Sequence, residues 1–273
     1  MQQTRQQVRS ISTLSVAIVC YGTTPEELIG LLTSLMKAIE LVKARQNLTT
    51  IVYVIDNHEK GGTSLETSCL NSRQYKRLNV DLTYISGHGN IGYGCGHNLV
   101  ISNLRSDLHL MLNPDVMLES DALIEAINVF CNDKSVVMLS PYAEESNGQK
   151  QYLCKRDPSV LTLFLRGFLP KFSRKYFPNR LHKYEMQELP EDKITGNIQL
   201  ISGCFMLSDT QALKEIKGFN KNYFLYFEDF DLSLRIATLG KIVYAPNVRI
   251  THDGGKTATK GLSHVKMFLT SAV

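Results

Sequence analysis

The sequence lacks several features that define common classes of protein. Tryptophan is absent from its 273 residues, and its six cysteines are scattered, with no C-x-x-C pair and no accompanying histidine cluster. This spacing excludes a zinc-finger type of site and a dense disulfide framework, and it favours a reducing cytoplasm. No run approaches the ~18 apolar residues of a membrane-spanning helix, and the polar start of the chain lacks the apolar core of a signal peptide.

A large excess of charge of one sign is also missing. The chain has 30 Lys and Arg against 26 Asp and Glu, which gives a net charge of +4. This balance does not indicate a nucleic-acid-binding protein. With 43% hydrophobic residues, a chain of this length can bury one large core. We therefore expect one main domain that is cytoplasmic, either free or peripheral at the inner face of the cytoplasmic membrane.

Short apolar runs alternate with helical patterns along the chain. Residues 14–20 have the pattern of a buried strand, and Thr24-Pro25-Glu26-Glu27 then supplies an N-cap, a first-turn proline and a capping-box glutamate for a helix to about Arg45. The alternation predicts an α/β fold with a mostly parallel sheet flanked by helices. Further strands are predicted at 50–55, 81–86, 107–112, 135–140, 196–208, 241–245 and 248–251, and further helices at 119–132, 209–216 and 231–239.

A glycine-rich segment follows the third predicted strand. Residues 87–98 read GHGNIGYGCGHN, with five glycines in ten residues. Glycine allows close backbone approach to a phosphate or a sugar, and a helix predicted to begin near His97 would point its N-terminus at an anion. Gly87, Gly89 and Gly92 also match the G-x-G-x-x-G pattern of dinucleotide-binding proteins. A merely flexible loop is the remaining alternative.

Two aspartates follow predicted strands. Asp56 ends the second strand, and Asp115 ends the Asn113-Pro114-Asp115 turn after the fourth. Open α/β sheets bind ligands at the carboxyl ends of their strands. Asp115 suits a divalent metal shared with a diphosphate, whereas Asp56 is either a ligand contact or a turn former.

An acidic and aromatic segment spans residues 222–235, NYFLYFEDFDLSLR. Four aromatic residues precede Glu228 within six positions, and desolvation among them would raise a carboxylate pKa towards that of a useful base. We predict that Asp231 caps the following helix, which leaves Glu228 and Asp229 at the tip of the loop. The alternative is that these acids only stabilise the helix N-terminus.

Residues 155–184 form a basic and aromatic segment, with eight Lys and Arg against one acidic residue between positions 155 and 183. This composition predicts either contact with an anionic membrane surface or a helical insertion that packs its aromatic residues on the core. Further on, His252-Asp253-Gly254-Gly255-Lys256 combines a candidate metal ligand, His252, with a candidate diphosphate contact, Lys256.

Together these motifs resemble glycosyltransferase family 2, the inverting transferases of GT-A fold, and in particular its bacterial rhamnosyltransferase-like branch of cell-wall and O-antigen assembly. The resemblance covers residues 15–256. It is carried by Asp56-Asn57, by residues 89–98, by Leu112-Asn113-Pro114-Asp115, and by residues 202–205 followed by 218–219 and 226–232.

The resemblance implies roles for individual residues. Asp229 is the general base with Glu228 beside it, and Asp56 contacts the nucleotide base. Asp115 and His252 hold Mg²⁺ or Mn²⁺, although Asn-Pro-Asp offers one carboxylate where many GT-A enzymes have Asp-x-Asp. The implied nucleotide-sugar-binding residues are Tyr21, Asp56, Asn90, Gly92, Gly94, Asn98, Asp115, Gly203 and Lys256.

It also implies substrates and domain limits. The donor is a nucleotide sugar, with L-rhamnose from dTDP-rhamnose as the best guess, and the acceptor is a polyprenyl-diphosphate-linked glycan. We expect a flexible tail at 1–13, one GT-A domain at 14–256, and a C-terminal segment at 257–273. Within the domain, residues 14–142 form the nucleotide-sugar half, and residues 143–256 form the acceptor half with the basic insertion.

Two other functions remain open from the sequence. A dinucleotide-dependent oxidoreductase would use the glycine-rich segment but would leave Glu228 and Asp229 without a role. A non-catalytic scaffold of a glycan-assembly complex would keep the fold and turn over no sugar nucleotide.

Overall fold

A computed structural model describes residues 9–59, 66, 73–156, 162 and 175–253 of the chain. The elements follow one another as β1 (Thr13–Cys20), α1 (Pro25–Lys43), β2 (Thr49–Asp56), α2 (Arg73–Arg77), β3 (Val80–Ile85), α3 (Tyr93–Ile101), β4 (Leu108–Leu112), β5 (Val116–Leu118), α4 (Ala122–Asn132), β6 (Val136–Glu144), β7 (Lys150–Gln151), β8 (Cys154–Lys155), α5 (Pro178–Tyr184), β9 (Leu200–Ile201), β10 (Phe205–Asp209), α6 (Thr210–Glu215), α7 (Glu228–Ile236) and β11 (Lys241–His252).

A central sheet organises the described part of the chain. The sheet has nine strands. Eight of them are hydrogen-bonded in the order β3-β2-β1-β4-β10-β6-β11-β5, and the ninth, β7, pairs with β6. Strands β3, β2, β1 and β4 are mutually parallel, and so are β6 and β11. Strand β10 runs antiparallel to both of its neighbours. The predicted α/β class is therefore confirmed, with a sheet that is parallel in its first half and mixed in its second.

The strand directions bring distant parts of the chain to one edge of the sheet. Because β10 is reversed, its first residue, Phe205, pairs with the last residue of β4, Leu112. On the other side of β10, Thr251 near the end of β11 pairs with Glu144 at the end of β6. The carboxyl ends of β1, β2, β4, β6 and β11 therefore meet the start of β10, and we call this the carboxyl edge.

Apolar residues pack on both faces of the sheet. Along β1, Val16 and Ile18 face one core, which helices α1 and α4 cover, while Ala17 and Val19 face a second core with α3, α6 and α7. Leu28 and Leu35 of α1 are fully buried, and each such leucine contributes roughly 1.5–3 kcal/mol relative to an exposed one. The alternation of side chains along a strand thus produces a three-layer fold.

The start of α1 confirms a prediction from local sequence. The Thr24 hydroxyl accepts a hydrogen bond from the Glu27 N–H, and the Glu27 carboxylate accepts one from the Thr24 N–H. Pro25 occupies the first helical position, where its missing N–H has no partner to lose. The capping box fixes this helix end at the position that the sequence indicates.

Several predicted boundaries were wrong. Helix α7 begins at Glu228, whereas the prediction placed its start at Asp231. Helix α3 begins at Tyr93, whereas the prediction placed its start near His97. The expected strand at 196–208 is divided into β9 and β10, because the backbone turns between them. Conversely, the expected strands at 241–245 and 248–251 are one strand, β11, with an irregularity between Ala245 and Arg249. Strand β5 was not predicted.

The predicted tail and C-terminal parts are only partly described. Residues 9–13 were expected to be flexible, but Arg9 forms an ion pair with Asp209, and Ser12 donates two hydrogen bonds to the Asp107 carboxylate. Residues 1–8, Lys256 and 257–273 lie outside the described residues, as does most of the basic insertion. Within the described part of the chain, no helix has the length and apolar character needed to span a bilayer.

Candidate functional site

The acidic helix α7 starts from a strained backbone. Tyr226 and Phe227 have φ angles of 72° and 66°, in the left-handed region, and Phe227 is the N-cap residue. Bulky residues reach this region at a cost of roughly 1–2 kcal/mol each, and such strain concentrates at functional sites. As a consequence the helix begins at Glu228, and both Glu228 and Asp229 lie in its first turn.

Asp229 is held by backbone groups at the carboxyl edge. Its Oδ2 accepts a hydrogen bond of 3.0 Å from the Gly203 N–H, and its Oδ1 accepts one of 2.9 Å from the Phe230 N–H. The Ser233 hydroxyl donates to the Asp229 carbonyl and accepts from the Ile201 N–H, which ties α7 to β9. The Asp229 carboxylate is thereby fixed in orientation while its side chain stays partly exposed.

Glu228 has a different environment from its neighbour. The residue is 5% exposed, and no hydrogen-bond partner for its Oε2 occurs among the described residues. Burial, followed by the charge of Asp229, raises the pKa of Glu228 to about 8. Glu228 is therefore mostly protonated at neutral pH, and of the two acids only Asp229 combines exposure with a fixed carboxylate.

The raised pKa predicts how stability depends on pH. Between the ordinary value of 4.5 and the folded value of about 8, the folded protein keeps a Glu228 proton that the unfolded chain has released. The free energy of unfolding should therefore fall as the pH rises through this window. The stabilisation that the retained proton provides is fully present below the window and is lost above it. Glu228→Gln should remove most of this fall in urea unfolding at pH 5 and pH 8. The exposed Glu215→Gln is the control; an unchanged pH profile in the Glu228 variant would contradict the assignment.

Asp115 and His252 meet at the same edge. Asp115 follows β4, His252 ends β11, and the His252 Nε2 lies 3.4 Å from the Asp115 Oδ1. The Asp115 Oδ1 is buried and has no well-formed hydrogen bond among the described residues. Burial raises the pKa of Asp115, but the adjacent His252 and the Asp115 N–H outweigh burial and lower it overall, so the carboxyl is ionised at neutral pH.

This pair fits a shared divalent cation. One carboxylate and one imidazole, with further ligands from a diphosphate and water, suit Mg²⁺ or Mn²⁺. Among the described residues, no group of three or more His, Cys, Asp or Glu side chains could complete a metal site without such outside ligands. The buried Asp115 oxygen facing an imidazole nitrogen is the observation that favours a cation.

The turn between β9 and β10 joins the two acidic sites. Gly203 donates to Asp229, and the carbonyl of the next residue, Cys204, accepts a hydrogen bond of 2.9 Å from the Asn113 N–H. Tyr93 of α3 donates its hydroxyl proton to the Gly203 carbonyl. A side chain on Gly203 would press against Tyr93, since a Cβ there would lie 3.2 Å from the ring. Adjacent residues thus hold the helix of Asp229 and the turn of Asp115.

Asp56 ends β2 as predicted and is 1% exposed. Its Oδ2 accepts a 2.6 Å hydrogen bond from the Tyr84 hydroxyl, and its Oδ1 accepts one from the His58 N–H. Its neighbour Asn57 donates to the Gly92 carbonyl and lies 2.9 Å from the His88 ring nitrogen. The end of β2 is therefore bound to the glycine-rich segment.

The glycines of that segment divide into two groups. Gly87 and Gly89 have positive φ angles and open space where a Cβ would lie. At Gly92, with φ of 87°, a Cβ would lie 2.3 Å from the Phe224 carbonyl oxygen, and at Gly94 it would lie 2.8 Å from the Phe219 Cβ. These two glycines allow the segment before α7 to pack on α3, which is a reason for glycine different from the predicted approach to a phosphate.

Other predicted donor-site residues have defined positions. Asn90 accepts a hydrogen bond from the Gly92 N–H, and Tyr21, directly after β1, is 58% exposed. The Asn98 amide donates to the Phe219 carbonyl and accepts from the Phe219 N–H, so it links α3 to the loop between α6 and α7. A direct contact of these residues with a donor stays a prediction, and Lys256 lies outside the described residues.

The sequence did not identify three residues of the site. Asn57 was recognised only as part of a turn, although its place after a strand end is a signal like that of Asp56. Tyr93 was hidden among the glycines, and its contact with Gly203 spans 110 positions. Gln151, which contacts His252, belongs to no motif, and nothing local in the sequence points to it.

Of the basic segment, only the two ends and Thr162 are described. Lys155 is buried and donates to the Tyr152 carbonyl, Arg156 pairs with Glu188, and Arg180 donates to the Thr162 hydroxyl. These basic side chains therefore have partners within the protein. Contact of the segment with a membrane stays a prediction.

Comparison with solved structures defines the class of this fold. The protein superposes on GalNAc-T7 with UDP, GalNAc and Mn²⁺ with a TM-score of 0.60 at 12% identity, covering 89% of this chain and 43% of that one. It superposes on the mannosyltransferase PcManGT from Pyrobaculum calidifontis, in complex with GDP-Man and Mn²⁺, with a TM-score of 0.58 at 14% identity, covering 88% and 56%. The fold is that of GT-A glycosyltransferases.

Sequence comparison identifies the family. The family described as "Glycosyltransferase like family 2" matches residues 12–265, and the chain belongs to it. The chain is 26% identical over 180 residues to rhamnosyltransferase WbbL of Escherichia coli K12, and the match covers 63% of this chain and 64% of the relative. It is 26% identical over 178 residues to an N-acetylglucosaminyl-diphospho-decaprenol L-rhamnosyltransferase of Mycobacterium tuberculosis, covering 60% and 56%. The chain thus spans less than two thirds of these relatives.

The family and the topology argue against the dinucleotide interpretation of the glycines. That fingerprint follows the first strand, at the point where the strand order reverses. Here Gly87 and Gly89 follow β3, which is the edge strand of the sheet, and two of the glycines beyond them pack against protein. The glycine-rich segment is part of a glycosyltransferase fold.

Proposed function

We propose that the protein is an inverting glycosyltransferase that transfers a sugar, most simply L-rhamnose from dTDP-rhamnose, to a polyprenyl-diphosphate-linked glycan. The observation that carries this proposal is the turn at Gly203 and Cys204, which holds Asp229 and the Asp115 turn on adjacent residues. A base and a cation site side by side are what displacement of a nucleoside diphosphate requires. The names of the two rhamnosyltransferase relatives support the choice of sugar and of a lipid-linked acceptor.

Asp229 would act as the general base. Its carboxylate is oriented by the Gly203 and Phe230 N–H groups and remains partly open to solvent. It would accept the proton of the acceptor hydroxyl as the oxygen attacks the anomeric carbon, and the bond from that carbon to the diphosphate breaks. A single displacement inverts the anomeric configuration. Glu228, kept neutral by burial, would limit the local negative charge near the leaving group.

Asp115 and His252 would hold the divalent cation. A bound Mg²⁺ or Mn²⁺ would neutralise charge on the diphosphate as it leaves. The two structural neighbours, which are complexes with Mn²⁺ and a nucleotide or a nucleotide sugar, support a metal of this kind. The 3.4 Å separation of the two side chains and the buried Asp115 oxygen support these two ligands.

The donor would lie along the carboxyl edge. Asp56 at the end of β2 would face the nucleotide base, and Tyr21 beside it offers an exposed ring. Asn90, Gly92, Gly94, Asn98, Gly203 and Lys256 complete the proposed donor pocket, some by contact and some by positioning the loops. The acceptor would enter from the side of the 155–184 segment, with the protein peripheral at the inner face of the cytoplasmic membrane.

A thermal-shift screen followed by a transfer assay tests this proposal. The protein is heated with dTDP-rhamnose, UDP-sugars, GDP-sugars or NAD(P), each with and without Mn²⁺. Saturation at about 100 Kd stabilises by roughly 2.7 kcal/mol, or roughly 5–10 °C for a domain of this size. We expect this shift with dTDP-rhamnose and Mn²⁺, and then transfer to a synthetic polyprenyl-diphosphate glycan. A shift with NAD(P) alone, or binding without any transfer, would overturn the proposal.

A further inference from the structure

The end of β11 is held by a hairpin that no motif of the sequence marks. Strand β6 turns through residues 145–149 into β7, and Ala143 of β6 pairs with Gln151 on one side and with Ile250 on the other. The Gln151 side chain therefore crosses the width of one strand to reach His252. It lies 2.8 Å from the His252 Nδ1 through its Oε1, and its Nε2 donates a 2.9 Å hydrogen bond to the His252 carbonyl.

These two contacts determine which imidazole nitrogen carries a proton. The His252 carbonyl can only accept, so the Gln151 NH₂ group must face it. The Gln151 Oε1 then faces the imidazole, and because this oxygen can also only accept, the Nδ1 must be its donor. In the neutral ring the Nε2 is left with a lone pair.

This nitrogen lies close to another acceptor. The Nε2 lies 3.4 Å from the Asp115 Oδ1, an oxygen that is buried and lacks a well-formed hydrogen bond among the described residues. Two acceptors face each other favourably only with a positive charge between them. That charge is either a proton on Nε2, in the imidazolium form, or a cation that binds both groups.

We propose that Gln151 is a positioning residue for the metal ligand His252, holding the ring in the Nδ1–H tautomer so that Nε2 binds the divalent cation shared with Asp115. The inference rests on the metal site of the proposed function. Histidine ligands of metals generally donate their second ring N–H to a protein acceptor, and loss of that acceptor weakens metal binding roughly 10–100-fold. Gln151 supplies such an acceptor from a different strand.

Mn²⁺ binding measured without any sugar nucleotide tests the role directly. Gln151→Leu removes both hydrogen bonds at similar volume, and we expect it to weaken Mn²⁺ binding roughly 10–100-fold in a titration followed by electron paramagnetic resonance. Gln151→Glu keeps an acceptor for Nδ1–H but loses the hydrogen bond to the His252 carbonyl, and it should bind Mn²⁺ more tightly than Gln151→Leu does. Equal affinity of Gln151→Leu and wild type would overturn the proposal.

A matched control separates positioning from support of the strand end. The Ser146 hydroxyl, in the same hairpin turn, donates to the Asp253 carboxylate beside His252. Ser146→Ala removes this hydroxyl hydrogen bond, keeps the bond from the Ser146 N–H to the same carboxylate, and leaves Gln151 intact. We expect it to bind Mn²⁺ as the wild type does. A loss equal to that of Gln151→Leu would mean that the hairpin acts only as a structural clamp.

Nitrogen NMR of the ¹⁵N-histidine-labelled protein reports the tautomer itself. At a pH where the imidazole is neutral, wild-type His252 should carry its proton on Nδ1, and Gln151→Leu should show a mixture, with the signal assigned from a His252→Gln sample. A neutral wild-type ring protonated on Nε2 would overturn the inference. Neither readout uses a sugar nucleotide, so absence of sugar transfer would count against the proposed function alone. Normal sugar transfer, with Mn²⁺ affinity and the His252 tautomer both unchanged in Gln151→Leu, would count against this inference alone.

Discussion

Asp229→Asn should lower the rate of sugar transfer by roughly 10²–10⁴-fold, the usual contribution of a general base. The asparagine side chain is the same size and can still accept from the Gly203 N–H, so the turn and the helix should keep their positions. It cannot take a proton from the acceptor hydroxyl. The loss should therefore appear in kcat measured with a sugar nucleotide and a synthetic acceptor, while donor binding in the thermal-shift assay stays near wild type.

The matched control lies two residues further along the same helix. The Asp231 carboxylate accepts 2.6 and 2.8 Å hydrogen bonds from the Arg235 guanidinium one turn later, and it makes no contact with the Gly203 turn in the described structure. Asp231→Asn should retain transfer within a few fold of wild type. Undiminished transfer by Asp229→Asn, or an equal loss in both variants, would remove Asp229 from the role of base.

Asp115→Asn should lower transfer by roughly 10²–10³-fold and should abolish its stimulation by Mn²⁺. The change removes one negative charge from the proposed metal site, and a bound metal supplies several kcal/mol of charge stabilisation in the transition state, where each 1.4 kcal/mol corresponds to roughly tenfold in rate. Initial rates across a Mn²⁺ titration measure both effects. We expect the variant to show a low rate with no saturation in the metal.

A control for the loss of charge alone lies in the same part of the chain, between β4 and α4. Asp121 is exposed at the start of α4, and its side chain forms no capping hydrogen bond. Asp121→Asn should keep the wild-type rate and metal response. If Asp115→Asn still saturated with Mn²⁺ at the wild-type concentration, the cation would have to be held by other groups, and the assignment of Asp115 would be wrong.

The parts of the fold that depend on local chemistry were predictable. The capping box at Thr24 involves residues three positions apart, and the apolar strand of residues 14–20 needs only its own composition. Asp56 and Asp115 could be expected at one edge of the sheet because parallel strands end at a common edge. These predictions needed only residues close together in the chain, or the rule that parallel strands end at a common edge.

The missed features depend on contacts between distant segments. Helix α7 begins at Glu228 because Phe227 takes a left-handed conformation that its own side chain disfavours, so local rules place the start later. Gly94 is glycine because Phe219 packs against it, and Gln151 matters because His252 lies 101 positions further on. No pattern within a short window contains such information.

The turn at Gly203 and Cys204 also limits how related sequences can diverge. Since Gly203 holds Asp229 and the next residue, Cys204, holds Asn113, a single inserted or deleted residue would move one attachment away from the other. The length of the turn therefore cannot change, and we expect alignments of catalytically active homologues to contain no gaps between β9 and β10.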